Sequence, residues 1–197
     1  MKKTLALLIA VLTCIGAMHA QKVSLSFNGN YRTKYKDFGI GTQVMIPVYN
    51  NFFIAPGVSY YFDKEYKLDY EMINSKTNNK SFNYGLDIHY AFFLKGTNSF
   101  VSPFIGVEGM VIWSKTTGSY LGVSSNSSGI GVPHREWSSF GSDDWHSFSD
   151  VVGNIGIAGK WFTNNNLFFN TQVRYSIDFD NMDYNFFVFT AGVGYAF

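Results

Sequence analysis

Residues 82–92 constrain what this chain can fold into more than any other stretch. Phe82, Tyr84, Leu86, Ile88, Tyr90 and Phe92 take every second position, and Asn83, Gly85, Asp87, His89 and Ala91 fill the gaps. A β-strand points successive side chains to opposite sides. The segment therefore predicts a strand with one unbroken apolar face and one small or polar face. A helix would scatter the same rings around its whole circumference.

The same split recurs along the chain, and predicted strands cover 23–33, 38–48, 52–62, 82–92, 100–113, 151–162, 167–177 and 185–197. The connections 49–51, 94–98 and 163–166 are short and rich in Asn, Gly or Thr, as tight hairpins require. Between them lie 34–37, 63–81, 114–150 and 178–184, of which 63–81 and 114–150 are long and polar. Tight turns on one rim and looser loops on the other predict an all-β fold, an eight-stranded antiparallel up-and-down barrel. Both termini then fall on the tight-turn side.

Composition decides which face meets what. Charged residues make up 15% of the chain, against about 25% in an average soluble domain. The non-apolar face carries Gly57, Gly85, Gly106, Gly156, Gly192 and Gly194, with few charges among them: Arg32, Asp87, Glu108, Lys160 and Arg174. A wet surface carries many more Lys and Glu. Glycines beside long charged side chains instead describe a confined interior. The apolar face then meets lipid, and closure leaves no backbone edge unpaired in hydrocarbon. About ten residues per strand at ~3.3 Å each, tilted by ~40°, reach ~25 Å, the height of an outer-membrane apolar band. Tyr31, Tyr60, Phe62, Phe92, Trp113, Trp161 and Tyr175 fall near strand ends, where aromatic girdles belong. The transmembrane barrel is the expectation; a soluble lipocalin-like barrel, with the faces reversed, is its rival.

Aromatic residues at 19% exclude a disordered chain, and a net charge of +1 removes the electrostatic footprint of a nucleic-acid binder. Mean hydropathy of −0.02 is too polar for a bundle of membrane helices. Residues 1–20 read as a secretory signal peptide: basic Lys2 and Lys3, an apolar run to Ile15, then small residues up to a cut after Ala20. The mature domain is then 21–197. Cleavage removes Cys14, the single cysteine, and with it a disulfide, a cysteine-ligated metal and a thiol nucleophile. Val11-Leu12-Thr13 ahead of Cys14 departs from the small-residue pattern of a lipoprotein acylation site.

The signal peptide, the alternating strands and a last strand reading from Phe187 to Phe197 with Val193, Tyr195 and Phe197 in alternation resemble a Gram-negative outer-membrane β-barrel. In size the chain is similar to OmpA/OmpX-type eight-stranded barrels. In style, including Gln21 directly after the cut, it resembles the outer membrane protein beta-barrel domain or porin family of Bacteroidota. The resemblance implies a place in the cell outer membrane and contact with its lipid, lipopolysaccharide included. It also implies passage by periplasmic chaperones to the barrel-assembly machinery, with Val193, Tyr195 and Phe197 as the assembly signal.

Asp87, His89, Glu108, Lys160 and Arg174 should project into the lumen as a network of buried charges, which survive only when paired. An eight-stranded barrel is just wide enough for side chains to fill, so a small passive channel is the alternative rather than the first reading. The stretch 114–150 offers a candidate contact surface in Tyr120, His134, Trp137, Phe140, Trp145 and His146, set among Ser and Gly, a composition suited to recognition. His134 and His146 with Asp143 and Asp144 lack metal-ligand spacing. His146 beside Ser147 and Ser149 raises a lipid A-modifying enzyme as a further alternative, but no orienting acid can be placed. The expectation is a non-enzymatic structural or surface-contact protein with a plugged lumen, no catalytic or metal residue and no cofactor.

Overall fold

The computed structural model describes residues 22–70, 73–124, 134–141, 144–163, 166–179 and 185–197. The expected leader 1–20 lies outside the described residues, as do parts of the connections at 63–81, 114–150, 163–166 and 178–184. The strands are β1 (Ser24–Arg32), β2 (Asp37–Tyr49), β3 (Phe52–Tyr70), β4 (Ile73–Tyr90), β5 (Phe92–Phe93), β6 (Phe100–Ser124), β7 (His134–Gly141), β8 (His146–Phe162), β9 (Leu167–Asp178) and β10 (Phe186–Ala196). β5 resumes the line of β4 after Ala91, whose N–H bonds to the Asn51 carbonyl instead.

Neighbouring strands follow the order β4–β3–β2–β1–β10–β9–β8–β6, and a further pairing of β4 with β6 closes an eight-stranded antiparallel barrel. The first and last strands run side by side in unbroken register from Ser24↔Ala196 to Arg32↔Val188. The tight turns work because their residues tolerate left-handed backbone: Asn50 at φ 46°, Gly96 at φ 77° and Asn166 at φ 64°.

The chain divides into two compact units. The first takes in the described residues up to Tyr61 together with Phe82–Met110 and Asp150–Phe197, and it holds the barrel wall. Its side chains are distributed inside out. Ile105 is 61% exposed and Ile157 59%, whereas Asn83 is 1% and His89 0%. The apolar and polar faces of 82–92 thus point outward and inward respectively, as the alternation predicts for a barrel in lipid. At the tight-turn end of the lumen, Met45, Phe53, Ala55, Ala91 and Phe100 form a small apolar core with Phe162 packed against it.

The second unit comprises Phe62–Ser81 and Val111–Ser149. Here the structure corrects the expectation of two long loops, because β3, β4 and β6 run on through polar sequence and β7 adds a strand paired with β6. A sheet wetted on both faces needs no apolar face, so hydrophobic periodicity does not mark it. Its strands are held by cross-strand polar pairs. The Thr77 and Thr116 hydroxyls meet at 3.0 Å, and Glu65 of β3 pairs across to Lys76 of β4 and along its own strand with Lys67. Hydrogen bonding from Lys76, then from Lys67, holds the exposed Glu65 carboxyl below its usual range.

Candidate functional site

The barrel lumen is a polar space, and strand register builds it. On β9, Arg174 donates Nη2 to Asp87 Oδ2 of β4 at 2.6 Å and Nη1 to Glu108 of β6. Gln43 Nε2 of β2 adds a 3.3 Å bond to Asp87, and the Asn83 side-chain amide donates to Glu108. One guanidinium therefore serves two carboxylates, each with an amide donor besides, the arrangement that buried charge requires.

Glycines make room for these groups. A Cβ on Gly106 would strike the Asp87 carboxylate, so that side chain lies directly over bare backbone. Two further glycines sit beneath hydrogen bonds that reach over an intervening strand. Asn170 of β9 donates to Asn28 of β1 at 2.9 Å across Gly192 of β10. Asn30 of β1 donates to Ser59 of β3 at 3.0 Å across Gly41 of β2. Replacing Gly192 with alanine places a methyl group against Asn28 and Asn170 as well as the Phe27 carbonyl. The expected cost is about 1–3 kcal/mol for overpacking and a broken, partly buried hydrogen bond, read as a lower urea unfolding midpoint in micelles. An unchanged midpoint would show that the inner wall yields without loss.

Of the five charged or titratable residues expected to share one network, the structure brings together Asp87, Glu108 and Arg174. His89 bonds the Ser102 hydroxyl through Nδ1 at 3.1 Å and stacks on Phe104 at 4.7 Å. Lys160 belongs to the apolar end. It donates to Ser24 Oγ at 2.7 Å and sits 4.3 Å over the Phe168 ring, a cation–π contact in place of a carboxylate.

At the loop-side rim lies a pair the sequence did not single out. Arg32 Nε donates to Asp37 Oδ1 at 2.9 Å, with Nη2 on the other oxygen. Its guanidinium lies 3.7 Å over the Tyr61 ring and 4.6 Å from that of Tyr35. Tyr35 also packs on Phe186 at 5.4 Å, and burial pushes its phenol above the ordinary range. The available signal was the placing of an acid five residues after Arg32, across a short turn where the two become cross-strand partners. A polar cavity of about 40 Å³ remains in the lumen, lined by Asn30, Tyr61, Asn83, Asp87, Glu108 and Arg174 among others.

A charged interior wrapped by a closed wall whose outside is apolar is the arrangement of a protein dissolved in lipid. The family model described as the outer membrane protein beta-barrel domain matches residues 7–197. The chain belongs to that family. Among solved structures, this outer-membrane barrel is similar to a major outer membrane protein from Thermus thermophilus, at 14% identity and a TM-score of 0.52, covering 91% of this chain and 100% of that one. Neisserial surface protein A shares 15% identity over 89% of this chain and 96% of its own, at a TM-score of 0.49. Ail, the attachment invasion locus protein of Yersinia pestis, shares 11% over 90% and 97%, at 0.48. Identities this low speak to fold alone. No curated protein sequence matches the chain.

The contact residues expected in 114–150 fall in the second unit of this outer-membrane barrel. Cross-strand register sets Tyr120 opposite Ser138, Trp137 opposite Leu121, His134 opposite Ser124 and Phe140 opposite Gly118. Trp145 is partly exposed, with the Lys80 ammonium 4.3 Å from its ring. His146 opens β8 on the exposed surface, while Asp143 lies outside the described residues. Among the described residues there is no cluster of three or more metal-ligating side chains. Val193, Tyr195 and Phe197 all face outward from the barrel wall.

Proposed function

We propose that this outer-membrane barrel is a non-enzymatic structural and surface-contact protein with a plugged lumen. The observation that carries the reading is Arg174 bridging Asp87 and Glu108 across the lumen. Two further layers support it: the Arg32–Asp37 pair under Tyr35 on the loop side, and the Met45–Phe53–Phe100 cluster on the turn side. A 40 Å³ cavity between such layers holds one or a few waters, not a solute. Contacts with other molecules then belong to the second unit, where Tyr120, His134, Trp137, Phe140, Trp145 and His146 supply aromatic and polar groups. The lipid partner includes lipopolysaccharide, and the leader 1–20 is removed after export. Periplasmic chaperones and the assembly machinery read Val193, Tyr195 and Phe197, and both termini lie in the periplasm.

The test is electrical and chemical. Purified protein inserted in planar bilayers is expected to give no steady unitary conductance, and cells expressing it are expected to keep an unchanged lipid A mass spectrum. Steady conductance would make the protein a small channel. A lipid A change abolished by His146→Ala would make it an enzyme.

A further inference from the structure

The lipid-facing wall of the barrel is not level. Between two aromatic pairs lies a trough of about 620 Å³. On one side Phe52 of β3 meets Tyr90 of β4 edge-on at 4.9 Å, and on the other Tyr175 of β9 meets Phe187 of β10, also at 4.9 Å. The strands between, β4, β6, β8 and β9, floor it with Ile88, Ile105, Ile155, Ile157 and Val173, all exposed. Branched aliphatic side chains stand lower than the rings beside them. In hydrocarbon a gap left open forfeits dispersion contacts along its whole lining, so a chain that follows the trough is held in preference to one that bridges it.

The trough also leads to a charge. From Tyr90 the apolar track continues through Phe92, edge-on at 5.0 Å, and the exposed Leu94 to Lys95 in the tight turn. Lys95 is exposed and has no ion partner among the described residues. The tight turns 49–51, 94–98 and 163–166 carry no acidic side chain, and Lys22 lies at the same rim with its ammonium on Asn166. An apolar track ending in an unopposed cation is complementary to an apolar tail ending in an anion, and a lysine at a membrane surface favours anionic lipid. We propose that the trough holds one acyl chain of an anionic glycerophospholipid whose phosphate sits at Lys95. The proposal rests on the periplasmic placing of the tight turns, which puts this lipid in the periplasm-facing leaflet.

The test is native mass spectrometry of the folded barrel in detergent, with phosphatidylglycerol and phosphatidylcholine of equal chain length as probes. One retained phosphatidylglycerol per barrel is expected, bound about fivefold more tightly than phosphatidylcholine. Lys95→Gln should abolish that preference. Ile157→Trp fills the floor and should lose both lipids, whereas Ile40→Trp, exposed on β2 outside the trough, should keep them. Gel mobility before and after boiling checks folding, and Val173→Trp replaces Ile157→Trp if that variant does not fold. A native chain without headgroup preference overturns the proposal, as does a preference that survives Lys95→Gln. Equal retention in Ile157→Trp and Ile40→Trp overturns it too. A lipid-independent dimer lost in Ile157→Trp would give the trough to a second copy of the chain instead. The orientation fails separately: labelling of Lys95→Cys by an impermeant maleimide on intact cells would put the turns outside, whatever the binding in detergent shows.

Discussion

Arg174→Met is expected to lower the unfolding free energy by roughly 3–5 kcal/mol, the range for removing one partner of a buried ionic group. The size of the loss comes from what is left behind rather than from the bonds removed. Asp87 and Glu108 would be left side by side on the paired strands β4 and β6, with amides such as those of Gln43 and Asn83 as their donors, and like charges in a low-dielectric space repel strongly. Adding Asp87→Asn and Glu108→Gln to the same chain removes both charges at little change in volume. That triple variant is expected to recover most of the lost stability, since neutral groups at these positions cost far less to bury. Urea midpoints in micelles measure both steps, with gel mobility before and after boiling as the check on folding. A triple variant no better than Arg174→Met would show that the arginine acts through packing. A single variant as stable as the native chain would remove the ion triad from any account of the lumen.

The fold was legible because one physical requirement, an apolar face at every second residue, repeats wherever the wall touches lipid. That is why 82–92 could be assigned correctly to both a strand and an orientation. The same signal is silent where a sheet is wet on both faces. The strand continuations to Tyr70 in β3 and Ser124 in β6 therefore read as loops. Lumen contacts were legible only in part. Parity along a strand says that a side chain points inward, but its height is set by register between strands, which no single strand encodes. Lys160 shows the consequence: it shares the inward face with Arg174, yet pairing of Lys160 with Asn170 and of Gly156 with Arg174 separates the two along the barrel. Contacts such as Arg174 to Asp87, 87 residues apart in the chain, depend on closure of the whole sheet. The Arg32–Asp37 pair is local enough to have been read, and its omission came from treating 34–37 only as a connection.

Ile105→Arg separates a barrel in lipid from the same barrel in water. Ile105 is 61% exposed and lies well inside the apolar stretch of β6. On a soluble protein an exposed position away from special contacts tolerates substitution within about 0.5 kcal/mol, and an arginine there would pass unnoticed. In a bilayer the same side chain must hold its guanidinium in hydrocarbon, at about 2–4 kcal/mol near the midplane of a transmembrane barrel. Ser139→Arg is the matching control, because Ser139 is also exposed but belongs to the second unit, in β7 opposite Ser119. Folding into lipid vesicles should therefore show a large loss for Ile105→Arg and almost none for Ser139→Arg. Equal, small effects would mean that hydrocarbon does not surround Ile105, and the apolar exterior would need another cover. Equal, large effects would place both positions in lipid and make the second unit part of the membrane-embedded wall. The asymmetry is the quantity to measure, because it depends on the surrounding solvent and not on any contact within the protein.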